Sequence, residues 1–327
     1  MGAVRNVEPM NVIIASPYAT DSLNGNTVTS LRIARLLEGA GHSVQIMQSS
    51  EISAESVKTN DAMIALHAKK SAGAAQTYYE NHPDGKLIVF LTGTDLYEDL
   101  PNGCPECLAT MDSADALVVS QSASLDSIPE EFISKAHVVY KSIVMPELAA
   151  DVEFDANLFT VVGHLRAVKQ PFMIVEAMKL LGESVRVKSL GGEFDAGSAE
   201  IANAYSQNDA RYEWLGECDY VEALSWMQRS VATVNTSLSE GGANSVGESI
   251  MLGVPVLASR IEGNVGMLGD SYSGYFAVDQ PSELASLMLR VMEDEKFLNQ
   301  LKTEIIERQG HFVAERELEG WLNLLKN

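Results

Sequence analysis

Two glutamates, Glu240 and Glu248, bracket the glycine-rich stretch Glu240–Gly241–Gly242–Ala243–Asn244–Ser245–Val246–Gly247–Glu248. It follows an apolar run from Val231 to Val234 that predicts a strand, and it leads into Ser245–Leu252, a predicted short helix stopped by Gly253. Gly241 and Gly242 let backbone N–H groups approach a ligand closely, and the start of a helix favours negative charge. A phosphate held only between two carboxylates makes little chemical sense. A phosphate flanked by sugars, whose hydroxyls both carboxylates accept, makes good sense. That is the chemistry of a nucleotide-sugar.

A second cluster lies in Val161–Val162–Gly163–His164–Leu165–Arg166–Ala167–Val168–Lys169–Gln170–Pro171. Gly163 closes a predicted strand, and Pro171 suits the first turn of a following helix, so His164, Arg166 and Lys169 share a strand-to-helix loop. Three basic residues so close together, in a chain of net charge −22, fit a bound dianion or pyrophosphate. A solvated turn with incidental charges fits the loop equally well when it is taken alone. The glutamate turn tips the balance toward a ligand.

The first half has loops of its own that suit anions. Ser22–Leu23–Asn24–Gly25–Asn26–Thr27 links the first strand to the first helix, His67–Ala68–Lys69–Lys70–Ser71 follows the third strand, and Thr92–Gly93–Thr94–Asp95 follows the fourth. All three sit at carboxyl ends of strands, where an open sheet binds ligands. The first loop is not a G-x-G-x-x-G fingerprint, which argues against a dinucleotide cofactor. Cys104–Pro105–Glu106–Cys107 has C-x-x-C spacing. It reads as incidental, because no second pair exists and it follows Pro101–Asn102–Gly103 rather than opening a helix after a strand. With no Asp-x-Asp, H-E-x-x-H or Walker A sequence, no metal site and no cofactor are predicted. Trp214, Trp226 and Trp321 read as packing residues.

The elements that must position these loops alternate along the chain. Strands are predicted at Asn11–Ser16, Val44–Met47, Asp61–Leu66, Lys86–Leu91, Ala116–Ser120 and His137–Tyr140, with a helix at Val28–Ala40 ended by Gly41. The pattern restarts with strands at Leu158–Val162, Val185–Leu190, Val231–Val234 and Val254–Ala258, and helices near Pro171–Leu181 and at Glu283–Met292. Continuous apolar strands alternating with helices predict parallel sheets covered on both faces. The expected architecture is α/β, two doubly wound Rossmann-like domains facing a central cleft, with boundaries at residues 1–150 and 151–327. Met145–Ala156 is the predicted linker. The segment from Phe297 to Leu325 is predicted to be helical and to pack back across it.

Composition narrows the functional classes. The chain has 327 residues, 46% apolar and 21% charged, with three cysteines. This profile fits a soluble protein of two ordinary domains without a disulfide framework. Its charge repels nucleic acid and anionic membranes, so neither is an expected partner. No window approaches a membrane span, and the polar start from Met1 to Pro9 lacks the apolar core of a signal peptide. A cytoplasmic location is expected.

Taken together, these residues resemble a known group. Glu240 and Glu248 are similar to the E-x7-E element of the family-4 glycosyltransferases, which have the GT-B fold. Gly163 through Lys169 resembles that family's G-R-L-x-x-x-K loop, with His164 where the family has arginine. The resemblance narrows further through His67–Ser71, Leu91–Tyr97, Gly163–Arg166, Glu240–Asn244, Ser259–Arg260–Ile261 and Gly274–Tyr275–Phe276. With these six blocks in order, the chain from Pro17 to about Leu289 resembles the selenosugar synthases of selenoneine biosynthesis. The resemblance implies transfer from UDP-N-acetylglucosamine or UDP-glucose onto selenophosphate, with UDP and phosphate released.

It also implies roles for the residues. Donor binding would fall to Gly163, His164, Arg166, Lys169, Glu240, Gly241, Gly242, Asn244, Ser245 and Glu248. Within that set Lys169 and the amides at Asn244 and Ser245 would hold diphosphate, and Glu248 the ribose. Asn24, Gly25, Asn26, Thr27, Lys70, Thr92, Gly93 and Thr94 would clamp the acceptor. His67, Lys169 and Glu240 would be catalytic, with His67 nearest the anomeric carbon. Selenium in selenophosphate is already anionic and polarizable, so positioning and electrostatics would suffice. The alternatives are a family-4 transferase acting on a hydroxyl of a small metabolite, a two-lobed binding protein and, less favoured, a nucleotide-sugar epimerase.

Overall fold

A computed structural model describes residues 8–19, 25–149 and 152–326. The chain forms two compact units, Met1–Ser142 with Val313–Asn327, and Ile143–Phe312. The first crossing falls just ahead of the predicted linker, whose Ala150 and Asp151 lie outside the described residues.

In the first unit, strands β1 (Asn11–Ser16), β2 (Ser43–Gln48), β3 (Ala62–Leu66), β4 (Lys86–Phe90), β5 (Ala116–Val119) and β6 (Ala136–Val138) make one parallel sheet. Their order is β2-β1-β3-β4-β5-β6. Alternate side chains enter opposite cores: Val12, Ile14, Ile64 and Ile88 on one face, Ile13, Ala15, Met63 and Leu87 on the other. Both faces are covered, so the strands read as unbroken apolar runs. The helix Ala314–Lys326 belongs to this unit, and its Trp321, Leu322, Leu324 and Leu325 complete the first of these cores.

In the second unit, β7 (Asp155–Val162), β8 (Arg186–Leu190), β9 (Tyr212–Gly216), β10 (Ser230–Asn235), β11 (Val256–Ser259) and β12 (Tyr275–Phe276) form a second parallel sheet. Its order is β12-β11-β10-β7-β8-β9. Each sheet reverses its winding once, between β1 and β3 in the first and between β7 and β10 in the second. Crevices outside the carboxyl ends of the strands at such reversals are where open sheets take ligands.

Several elements differ from expectation. The first helix begins at Gly25 rather than Val28, and along it the Thr29 and Ser30 hydroxyls bond back to the Gly25 and Thr27 carbonyls. The helix after Pro171 is shorter, Met173–Met178. The C-terminal segment is two helices, Glu295–Arg308 and Ala314–Lys326, parted by a turn at Gln309–His311. Cys104–Cys107 does open a helix, Pro105–Ser113, with Cys104 at its N-cap and Pro105 in its first turn.

Candidate active site

In the second unit the two predicted motifs meet at the sheet reversal. The Gly163–Gln170 loop leaves β7, and Thr236–Glu240 leaves β10. The Thr236 hydroxyl donates to the Lys169 and Gln170 carbonyls at 2.7 and 2.9 Å, and the Leu238 amide donates to the Val168 carbonyl at 2.8 Å. This stitching brings the Lys169 ammonium 2.6 Å from Glu240 Oε1, which also accepts from the Ser237 hydroxyl at 2.9 Å. Gly163, His164, Lys169, Asn235, Thr236 and Ser237 line one small crevice there. A Cβ at Gly263 would stand 1.9 Å from the Glu240 carbonyl oxygen, so only glycine lets the helix Glu262–Leu268 back the turn so closely.

The helix Asn244–Leu252 starts just beyond, after Ala243, and no side chain caps it. The first-turn amides, those of Asn244 and Ser245 among them, have no acceptor within the helix and point toward its N-terminal end. Such an end binds anions. Gly241 and Gly242 form the approach, Gly242 at φ 143°. Glu248 sits one turn inside that helix and is partly buried.

Arg166 goes elsewhere. Its guanidinium lies 4.3 Å from the Phe194 ring centroid and lines a cavity of about 570 Å³ with Leu165, Phe172, Ile201 and Tyr205, apart from the Lys169 crevice. His164 is solvent-exposed.

In the first unit the described members of the predicted acceptor set lie on the segments that follow β1, β3 and β4. Gly25, Asn26 and Thr27 are the first turn of a helix rather than a loop, and Thr27 is buried; Asn24 lies outside the described residues. The exposed Lys70 donates to the Tyr18 hydroxyl at 2.5 Å. Thr92 spends its amide and hydroxyl on Asp95, at 2.8 and 2.9 Å, while Gly93 is partly exposed and Thr94 exposed. His67, at φ 70° and 2% exposed, places Nδ1 2.6 Å from Asp95 Oδ1.

Residues 148–308 match a family profile described as "Glycosyl transferases group 1". That part of the chain belongs to the group 1 glycosyltransferases. The transferase is also similar to the Xenopus tropicalis "Glycosyltransferase 1 domain-containing protein 1", at 26% identity over 320 residues, 88% of this chain and 89% of that one. Among solved structures, Anabaena HepE in complex with UDP superposes with a TM-score of 0.75 at 14% identity, covering 97% of this chain and 99% of that one. The Thermosynechococcus elongatus sucrose-phosphate synthase gives 0.71 at 12%, covering 97% and 98%. Staphylococcus aureus TarM gives 0.64 at 16% and covers 81% of this chain, which spans only 55% of TarM. These likenesses establish the GT-B fold. Among the described residues of the transferase, no helix is long and apolar enough to cross a membrane.

Electrostatics add residues that motif reading passes over. Burial pushes the Glu248 carboxyl up to about 7, against a hydrogen bond from Tyr220 that lowers it. Burial also raises Asp95, yet the His67 and Thr92 hydrogen bonds outweigh it and hold the carboxyl below its ordinary range. Thr236, Ser237, Tyr220, Tyr18 and Asp95 thus join the transferase's candidate residues. Thr236, Tyr220, Tyr18 and the His67 contact of Asp95 are set across segments far apart in sequence, which short motifs do not encode, whereas Ser237 reaches Glu240 within its own loop.

Proposed function

We propose that the chain transfers a sugar from UDP-N-acetylglucosamine or UDP-glucose to selenophosphate, giving a 1-selenosugar, UDP and phosphate. The observation that carries the donor half is the Lys169–Glu240 pair in the crevice beside an uncapped helix start. A diphosphate competes with Glu240 for the Lys169 ammonium and takes the free amides at Asn244 and Ser245. Glu248 accepts the ribose hydroxyls, and the released Glu240 approaches the sugar. Structures of Anabaena HepE with UDP and with UDP-glucose support a UDP-sugar donor on this fold.

The acceptor half rests on the resemblance and on anion-suited groups in the first unit: the Gly25–Thr27 helix start, Lys70 and the Gly93–Thr94 turn. Selenium attacks the anomeric carbon, a C–Se bond forms, and the bond from that carbon to the diphosphate oxygen breaks with its electron pair leaving on UDP. Water then cleaves the Se–P bond, giving the selenol and phosphate. Lys169 and the helix start stabilise the departing charge. His67, oriented by Asp95, steadies the sugar or the attacking group.

The test is anaerobic UDP release from each UDP-sugar, with and without selenophosphate, and mass detection of the product. Selenophosphate-dependent release with a selenium-bearing sugar establishes the reaction. Donor turnover only with hydroxyl acceptors would leave a conventional transferase in its place.

A further inference from the structure

Two loops of the first unit deliver three side chains to one buried spot. His67 follows β3, while Asp95 and Asp99 lie four residues apart on the wide helical turn Asp95–Asp99 after β4. One donor atom from each of these three residues lies within 4.8 Å of the others. His67 is 2% exposed, Asp95 0% and Asp99 9%. We infer that these three residues form a site for one first-row divalent cation, with zinc as its probe.

Two features point to a ligand beyond the protein's own groups. Among the described residues, His67 Nε2 and Asp99 Oδ2 are buried without a hydrogen-bond partner, which folded proteins rarely tolerate. Asp99 Oδ1 meets the Lys69 ammonium at 2.6 Å, so a cation already occupies the approach to the cluster. The Lys69 side chain is 48% exposed and can swing into water when a metal replaces it. Ligands on one zinc ion at about 2.0–2.2 Å lie roughly 3–4 Å apart, so a shift of about 1 Å closes the set.

The frame holds the ligands in place. Asp95 accepts from the Thr92 amide and hydroxyl and from the Lys69 amide, and the His67 amide donates to the Phe90 carbonyl at 3.0 Å. One imidazole with two carboxylates selects zinc or manganese over magnesium and calcium, which prefer all-oxygen sites. No sequence motif marks the site, because His67 and the aspartates come from separate loops.

The test is zinc binding by the full chain, stripped with chelator and dialysed against zinc in excess magnesium. One equivalent of zinc is expected on the wild type. Asp99→Asn should lose it, and a Cys104→Ser/Cys107→Ser double variant should keep it. Lys69→Met removes the competing ammonium from an exposed position and should tighten binding about tenfold or more. No zinc on the wild type, zinc retained by a folded Asp99→Asn, zinc lost with the thiols, or unchanged affinity in Lys69→Met would each overturn the site. These readouts involve no sugar transfer, so they stand or fall apart from the proposed reaction.

Discussion

Lys169 is poised by a carboxylate rather than left free. Its ammonium contacts Glu240 at 2.6 Å, and Glu240 is steadied by Ser237, so the cation waits at a fixed point. A preorganised charge aimed at a leaving group contributes on the order of 100-fold or more to turnover. Lys169→Ala should therefore lower kcat for UDP release by about that factor while the melting temperature moves little; equal kcat would remove Lys169 from the reaction. Glu248 carries a second prediction, on pH. Its carboxyl stands near 7 in the fold, against 4.5 unperturbed, because burial disfavours its charge. Raising pH through that window ionises it, costing stability in the ligand-free protein while making it a better acceptor for sugar hydroxyls. The KM for a UDP-sugar should fall between about pH 6 and pH 8 as the folded carboxyl ionises, whereas the melting temperature of the ligand-free protein should fall between about pH 4.5 and pH 7 and level off above that. Glu248→Gln should flatten both profiles, and identical profiles in that variant would contradict the assignment.

Among the elements, the loops are positioned by close backbone approach at the sheet reversal. Gly191, leaving β8 at φ 133°, has no room for a side chain, since a Cβ would stand 2.2 Å from the Gly163 carbonyl oxygen. Gly191→Ala should therefore push the Gly163–Lys169 loop outward, destabilise the protein by about 1–3 kcal/mol and raise the donor KM several-fold, as denaturant unfolding and kinetics would show. Central strands such as β1, β3 and β10 are legible in sequence, because burial on both faces leaves unbroken apolar runs. The edge strand β9 is not, since Glu213 is exposed and its neighbour helix Ser198–Asn208 buries only Ser198 and Ala202. Lys169 and Glu240 are each legible as motifs. Their pairing needs the Thr236 and Leu238 bonds, which only the fold supplies. His67–Asp95 is likewise hidden, because the two residues come from different loops and His67 adopts a left-handed backbone.

For the whole molecule, the notable feature is a chain that leaves the first unit at Ser142 and returns to it at Val313. Glu317, 2% exposed, ties the returning helix to the departing backbone. It accepts from the Ser142 amide at 2.7 Å and hydroxyl at 2.6 Å, from Arg32 Nε at 3.0 and 3.1 Å, and from the Trp321 indole at 3.3 Å. Five charge-assisted contacts on one buried carboxylate offset its desolvation, and those from Ser142 and Arg32 tie the returning helix to two other segments of the unit. Removing it strands a largely buried Arg32 guanidinium and frees the helix that carries Trp321 into the core. Glu317→Ala should cost about 3–5 kcal/mol, because breaking a buried pair leaves an uncompensated charge. The loss should fall on the first unit, whose core needs this helix, and not on the second, whose own core lies within residues 143–312. Limited proteolysis of Glu317→Ala should then cut within the first unit while a fragment spanning the second survives. Uniform cleavage of both, or a melting temperature equal to the wild type, would show that the helix is not what holds the first unit together.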